Sequence, residues 1–339
     1  MTWRFADQRV SHPLPLGVAQ RAPVGQAVRA GDVLASGTRY GEPVRLAGAR
    51  RLGVTPDDLP QVMRVPPGAE LERGAIIART GRRFARAVSA PFDGRIVHVR
   101  ASGDIEFAPV VDRWSVRATL DGVVTESSDW AVTVEGAAWC IQGVVAYGPD
   151  AVGDLTLAVD GRTEELAPSR IDVRLRDRIL IGGGRSAAEA IARAHACGVA
   201  GVVAGAVPAA GLRTLFGDEV SARGAPDGSD TPTVLCLLGF GTSQLPAEVF
   251  MPFVPLIGAR AAIHSASARL FVFASSGVMT APTMVPTIAL APDWGAVMPL
   301  EGAAAPAREV VLASEVVSAA LETTLGTVPT GNLRTLDPV

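Results

Sequence analysis

Arg21–Ala35 and Arg64–Ala78 are two copies of one fifteen-residue pattern. Arg21/Arg64, Pro23/Pro66, Gly25/Gly68, Gly31/Gly74 and Ala35/Ala78 recur at matching places, and Val28/Leu71, Val33/Ile76 and Leu34/Ile77 match in apolar type. An internal repeat constrains a fold more than any composition does, because each copy must form the same local unit. Pro-Val-Gly25 and Pro-Pro-Gly68 are turns, since proline fixes φ and glycine accepts positive φ. A short strand follows each (Ala27-Val28; Glu70-Leu71), then a second turn at Gly31 or Gly74, then a second strand (Val33–Ala35; Ile76–Ala78). Short strands cornered by glycine suit a small, tightly bent β-barrel or sandwich.

The V-G-x-x-V-x-x-G-D-x-L-A run of the first copy, with the later Ala90-Pro91-Phe92-Asp93-Gly94-Arg95-Ile96-Val97-His98-Val99, resembles the barrel-sandwich hybrid fold over residues 14–110. Lipoyl and biotinyl carrier domains use that fold, as does the N-terminal domain found in one component of a membrane electron-transport complex. The resemblance implies a carrier lysine at a hairpin tip or a redox centre. The chain has no lysine, all 31 basic residues being arginine, so no lipoyl or biotin attachment is expected. Guanidinium is not a carrier amine. Iron–sulfur clusters need grouped cysteines, and Cys140, Cys197 and Cys236 stand apart. The order of pieces, including Ile141-Gln142-Gly143 and Gly198-Val199-Ala200-Gly201-Val202-Val203, also resembles a bacterial protein family with a barrel-sandwich start. That likeness brings no activity with it.

A length of 339 residues suits two to four domains, and 36 glycines with 25 prolines favour short strands and turns over long helices. The fold expected is multidomain, mainly β plus α/β, with residues 1–13 read as a polar lead-in. Residues 14–110 are read as the barrel-sandwich hybrid, with Thr55 capping a short helix that has Pro56 at its first position. Residues 111–170 are read as an antiparallel β region, from the alternation in Trp114–Leu120, Trp130–Val134 and Leu155–Val159. Residues 171–275 are read as an α/β domain. Its βαβ unit runs from Arg178–Ile181 through a Gly182-Gly183-Gly184 turn and a helix opened by a Ser186/Glu189 capping box to a strand at Val199–Ala204. Thr233–Leu238, a helix near Pro246–Leu256 and a strand at Ala268–Phe273 extend it. Residues 276–339 are read as a small SH3-like barrel, by the likeness of Val328-Pro-Thr-Gly-Asn-Leu333 to its last strand and turn, and strands are preferred to a helix over 308–325.

Charge is uneven. Residues 1–110 carry sixteen arginines against ten acids, 111–275 thirteen against eighteen, and 276–339 two against six. A basic head and an acidic tail favour head-to-tail association. Three cysteines form no disulfide framework. The Met-Thr-Trp-Arg-Phe start is no signal peptide. The charge-free run Leu270–Pro292 is broken by Pro282 and Pro286, so no transmembrane segment is expected and the chain reads as cytoplasmic.

Two candidate sites emerge. Gly182, Gly183, Gly184, Arg185 and Ser186, placed at a helix N-terminus, can present free amides and a guanidinium to an anion. The competing reading is a structural turn. Arg79, Arg82, Arg83 and Arg86 can grip an acidic partner, or form a solvated loop; nucleic acid has only Phe84 to stack on. No metal site is expected, because His195 and Cys197 point apart on a helix while His12, His98 and His264 lack ligand-spaced neighbours. No catalytic constellation and no cofactor motif is visible. The function expected is a non-catalytic scaffold or assembly protein that binds a protein partner or itself. The alternative is a small-molecule or anion-binding regulatory protein that uses Gly182–Ser186.

Overall fold

The structure, a computed structural model, describes residues 3–81, 85–208, 233–240 and 244–278, together with short strands between 287 and 334. The protein is mainly β, with one large mixed sheet and smaller antiparallel ones. The strands of the first part are β1 (Arg4–Pro13), β2 (Val18–Arg21), β3 (Ala27–Val28), β4 (Val33–Tyr40), β5 (Val44–Leu46), β6 (Glu70–Leu71), β7 (Ile76–Arg79), β8 (Ala87–Ser89), β9 (Gly94–Val99), β10 (Ile105–Arg117), β11 (Gly122–Ser127) and β12 (Ala131–Gln142). Those of the second are β13 (Val145–Tyr147), β14 (Ala151–Leu157), β15 (Glu165–Leu166), β16 (Arg178–Ile181), β17 (Arg185–Ser186), β18 (Gly201–Val207), β19 (Val234–Phe240), β20 (Arg260–His264) and β21 (Arg269–Val272).

The repeat folds as two equivalent units, and the structure supplies the partner each one needs. In the first copy, Gly25 N–H donates to Val124 O and Val124 N–H donates to Gln26 O; Gly31 N–H donates to Ala118 O and Ala118 N–H donates to Asp32 O. In the second, Gly68 and Ala69 hold Ile96 in the same way, and Gly74 and Ala75 hold Ala90. All four turn glycines have φ between +87° and +95°, a region that L side chains avoid. The partner segments Ala118-Thr-Leu-Asp121-Gly122-Val-Val124 and Ala90-Pro-Phe-Asp93-Gly94-Arg-Ile96 are therefore a second repeated motif. Their aspartates play one role: Asp121 Oδ1 accepts the Ala30 N–H and Asp93 Oδ1 the Arg73 N–H, each at 2.7 Å.

The two units are nested. The whole second unit lies between the halves of the first, and β4 and β10 pair to form the stalk that joins them. Each unit has its own apolar cluster. Val28, Leu34, Ala118, Leu120 and Val124 pack in the outer one, and Ile77, Val88, Ala90, Ile96, Ile105 and Phe107 in the inner one. Removing either aspartate should uncap one turn. Ala30 is fully buried, so Asp121→Ala should cost about 2 kcal/mol, while the solvent-facing Asp93→Ala should cost under about 1 kcal/mol. Urea midpoints of the two variants measure the difference, and equal losses would contradict it.

Nesting changes the boundaries read from the sequence. Strand β10 runs through residue 110, and β3 pairs with β11, beyond it. Strand β1, read as a polar lead-in, pairs with β12 over its whole length, from Arg4↔Cys140 to Pro13↔Ala131. The other edge of β12 is shared by β11 at one end and β21 at the other. The sheet then continues through β20, β14, β16, β18 and β19 to β13. Strands β14, β16, β18 and β19 are mutually parallel, and the helix Ala188–Ala196 makes the crossover from β16 to β18. Strand β14, placed by its alternation in the antiparallel region, pairs parallel with β16 on one side and antiparallel with β20 on the other. Ala190, Ile191 and Ala194 form the buried face of that helix, as its spacing predicts.

Thr55 caps the short helix at Pro56 as expected, its hydroxyl accepting the Asp58 N–H. The Ser186/Glu189 capping box does not form: the helix is capped at Ala187, without a side-chain hydrogen bond. Strand pairing takes Ser186 instead, because β17 continues the β16 ladder along β18 and pairs with β15 on its other side. In the C-terminal stretch, Thr287–Leu290, Ala304–Pro306 and Leu333–Arg334 form one small sheet and Ala320–Thr323 pairs with Gly326–Pro329. The strand preference over 308–325 is met at Ala320–Thr323, and residues 307–319 lie outside the described residues. Among the described residues, no helix is long and apolar enough to cross a membrane.

Candidate functional site

The glycine run at 182–184 is buried, and its amides are used within the sheet. Gly182 N–H donates to Val203 O and Gly184 N–H to Glu164 O, while the carbonyls of Gly183 and Gly184 accept the Gly205 and Ala206 N–H groups. Gly183, at φ +67°, threads between neighbours so closely that a Cβ would lie 2.6 Å from Glu164 O. Ser186 is fully buried, and Arg185 lies beside Glu165, its pairing partner in β15, at 3.9 Å. The five residues form a packed strand continuation that ends before the helix begins, and the amides of Gly182 and Gly184 are not available to an anion.

Arg79 and Arg86 of the arginine cluster lie on the inner unit. Strands β7 and β8 form a hairpin with Arg79 opposite Ala87, closed by Thr80 N–H donating to Arg86 O. Arg79 and Arg86 are exposed, and neither pairs with a carboxylate among the described residues. Arg82, Arg83 and Phe84 lie outside the described residues. Against the same hairpin sits an apolar groove of about 430 Å³, lined by Pro60, Met63, Val65, Pro66 and Val99, with Arg64 as its one charge. The groove is tied to β7 through the Met63–Ala78 bridge and the Arg64 N–H to Ile77 O hydrogen bond.

The fold also makes a cluster that sequence spacing does not show. His12 is next to last in β1, His264 ends β20, and Asp150 precedes β14; together they offer donor atoms within 4.8 Å of one another. The imidazoles meet edge to face, with centroids 5.3 Å apart. Both histidines are buried and Asp150 is exposed. Thr119 holds the His12 ring, its N–H 3.1 Å and its hydroxyl 3.0 Å from Nε2. Ser267 Oγ is 2.7 Å from His264 Nδ1, and the Ser265 N–H donates to Asp150 Oδ1 at 2.8 Å. Burial pushes the His12 pKa down to about 4; His264 acts in the same direction and Asp150 opposes it. The ring is neutral at physiological pH. No local sequence pattern signals the cluster, because His12 and His264 lie in distant parts of the chain and their strands converge only in the fold.

Cys140, Cys197 and Cys236 are buried free thiols. Burial raises Cys140 to about 11, against the smaller opposing pull of Arg269 and Arg4, and raises Cys236 further still. Neither is a thiolate at neutral pH. No family model, curated protein or solved structure matches the chain.

Proposed function

We propose that this chain is a non-catalytic assembly protein, and that its inner β unit is the part that recognises an acidic protein surface, in the first instance a second copy of the chain. The observation that carries this reading is the exposed pair Arg79 and Arg86 on a hairpin of a separately cored unit. Residues 44–104 hold eleven arginines against six acids, whereas 276–339 hold two against six. Arginine's planar fork grips carboxylates in pairs, and the adjoining groove adds apolar surface beside the charge. The likeness of this unit to barrel-sandwich carrier domains supports the reading. Such a domain presents its hairpin to partner proteins, and this chain has no lysine to carry a prosthetic group.

Charge reversal tests the proposal. Arg79→Glu with Arg86→Glu leaves the core untouched, so the fold should persist by circular dichroism. Light scattering at low salt should show a smaller mass for the double variant than for the wild type. Equal masses at every salt concentration would remove the hairpin from the assembly.

A further inference from the structure

We propose that His12, His264 and Asp150 form a binding site for a divalent first-row transition ion, with zinc as the probe, and that the ion staples β1 to the parallel part of the large sheet. Two imidazole nitrogens and one carboxylate oxygen are the donor set such ions prefer, whereas magnesium and calcium take oxygen. Bonds of about 2.0–2.2 Å place tetrahedral donors roughly 3.4 Å apart. The donors here lie within 4.8 Å of one another, and Asp150, whose Oδ1 accepts the Ser265 N–H, is the exposed member.

The surroundings match a ligating site rather than a chance contact. Each donor residue is held by a second group: His12 by Thr119, His264 by Ser267 and Asp150 by the Ser265 amide. Such outer hydrogen bonds orient metal ligands and sharpen their affinity. The Thr119 N–H donates to His12 Nε2, so Nε2 is the acceptor and Nδ1, which has no hydrogen-bond partner among the described residues, is the nitrogen open to an ion. Asp150 opens the site to solvent, so an ion can enter without the buried rings moving apart.

The test uses the full chain stripped with a chelator, then titrated with zinc chloride by calorimetry and with cobalt chloride by visible absorption. The wild type should bind a single equivalent, show ligand-field bands with cobalt, and melt at a higher temperature with zinc. His264→Gln should abolish all three responses. Asp150→Asn, on the surface, should keep the fold and weaken binding at least about tenfold, a loss of roughly 1.4 kcal/mol. If His264→Gln fails to fold, the Asp150 variant decides. Absence of zinc binding to the wild type at millimolar concentration overturns the proposal. So does wild-type affinity in Asp150→Asn, or in a folded His264→Gln.

Discussion

Trp3→Ala should destabilise the protein by about 3–5 kcal/mol, the range for removing a fully buried tryptophan. Trp3 has no exposed surface, packs edge to face on Phe253 at 4.9 Å, and donates its indole N–H to Val249 O at 2.9 Å. The substitution opens a cavity and leaves a buried carbonyl without its donor, so two penalties add. Its consequence is not local. Trp3 leads into β1, and β1 covers one edge of β12 from Ala131 to Cys140. Losing the anchor should therefore expose that edge. Trp3→Phe keeps most of the volume and loses only the hydrogen bond, so it should recover more than half of the loss. Urea denaturation of the three proteins measures this. A Trp3→Ala midpoint within about 1 kcal/mol of wild type would mean that the N-terminal strand is held by its ladder alone.

The second large effect separates the nested units. A Cβ on Gly94 would lie 2.2 Å from Ala108 O, and one on Gly122 would lie 2.0 Å from Glu135 O. These are equivalent positions in the two copies, where the Asp-Gly corner passes under a neighbouring strand. In both cases the obstacle is backbone, so no side chain can give way. Each change to alanine should cost about 3 kcal/mol, at the upper end for overpacking. The places where the damage appears should differ. Gly94→Ala should speed hydrogen exchange in β6, β9 and the adjoining half of β10 while β12 and β21 stay protected. Gly122→Ala should loosen β3, β11 and β12. Identical exchange patterns for the two variants would mean that the units do not open separately.

Much of this architecture was legible in the sequence, and the misses have physical causes. The repeat stood out because turn glycines and prolines leave little freedom of residue type at a bent corner. Its partner motif was harder to see. Ala118–Val124 and Ala90–Ile96 share only Ala, Asp and Gly as identities, and the first lies far along the chain from the corner it completes. Helix spacing found Ala190, Ile191 and Ala194 on the buried face. The capping box failed at Ser186 because the ladder to β18 takes the residues before the helix, and sheet pairing outweighs a single side-chain cap. The polar lead-in proved to be a ten-residue strand because half-buried alternation, with Gln8, Val10 and His12 inward, counts glutamine and histidine as polar although the fold buries them. The histidine cluster depends on β1 and β20 meeting at one end of the sheet, and no local pattern encodes that.

Native mass by light scattering, on untagged protein at low and at high salt, tests the assembly reading most directly. Exposed opposite charges hold such a complex together, and added salt screens them beyond about 10 Å. The account predicts a defined oligomer at low salt that dissociates as salt rises. A monomer of 35.0 kDa at both ends of the salt range would contradict it.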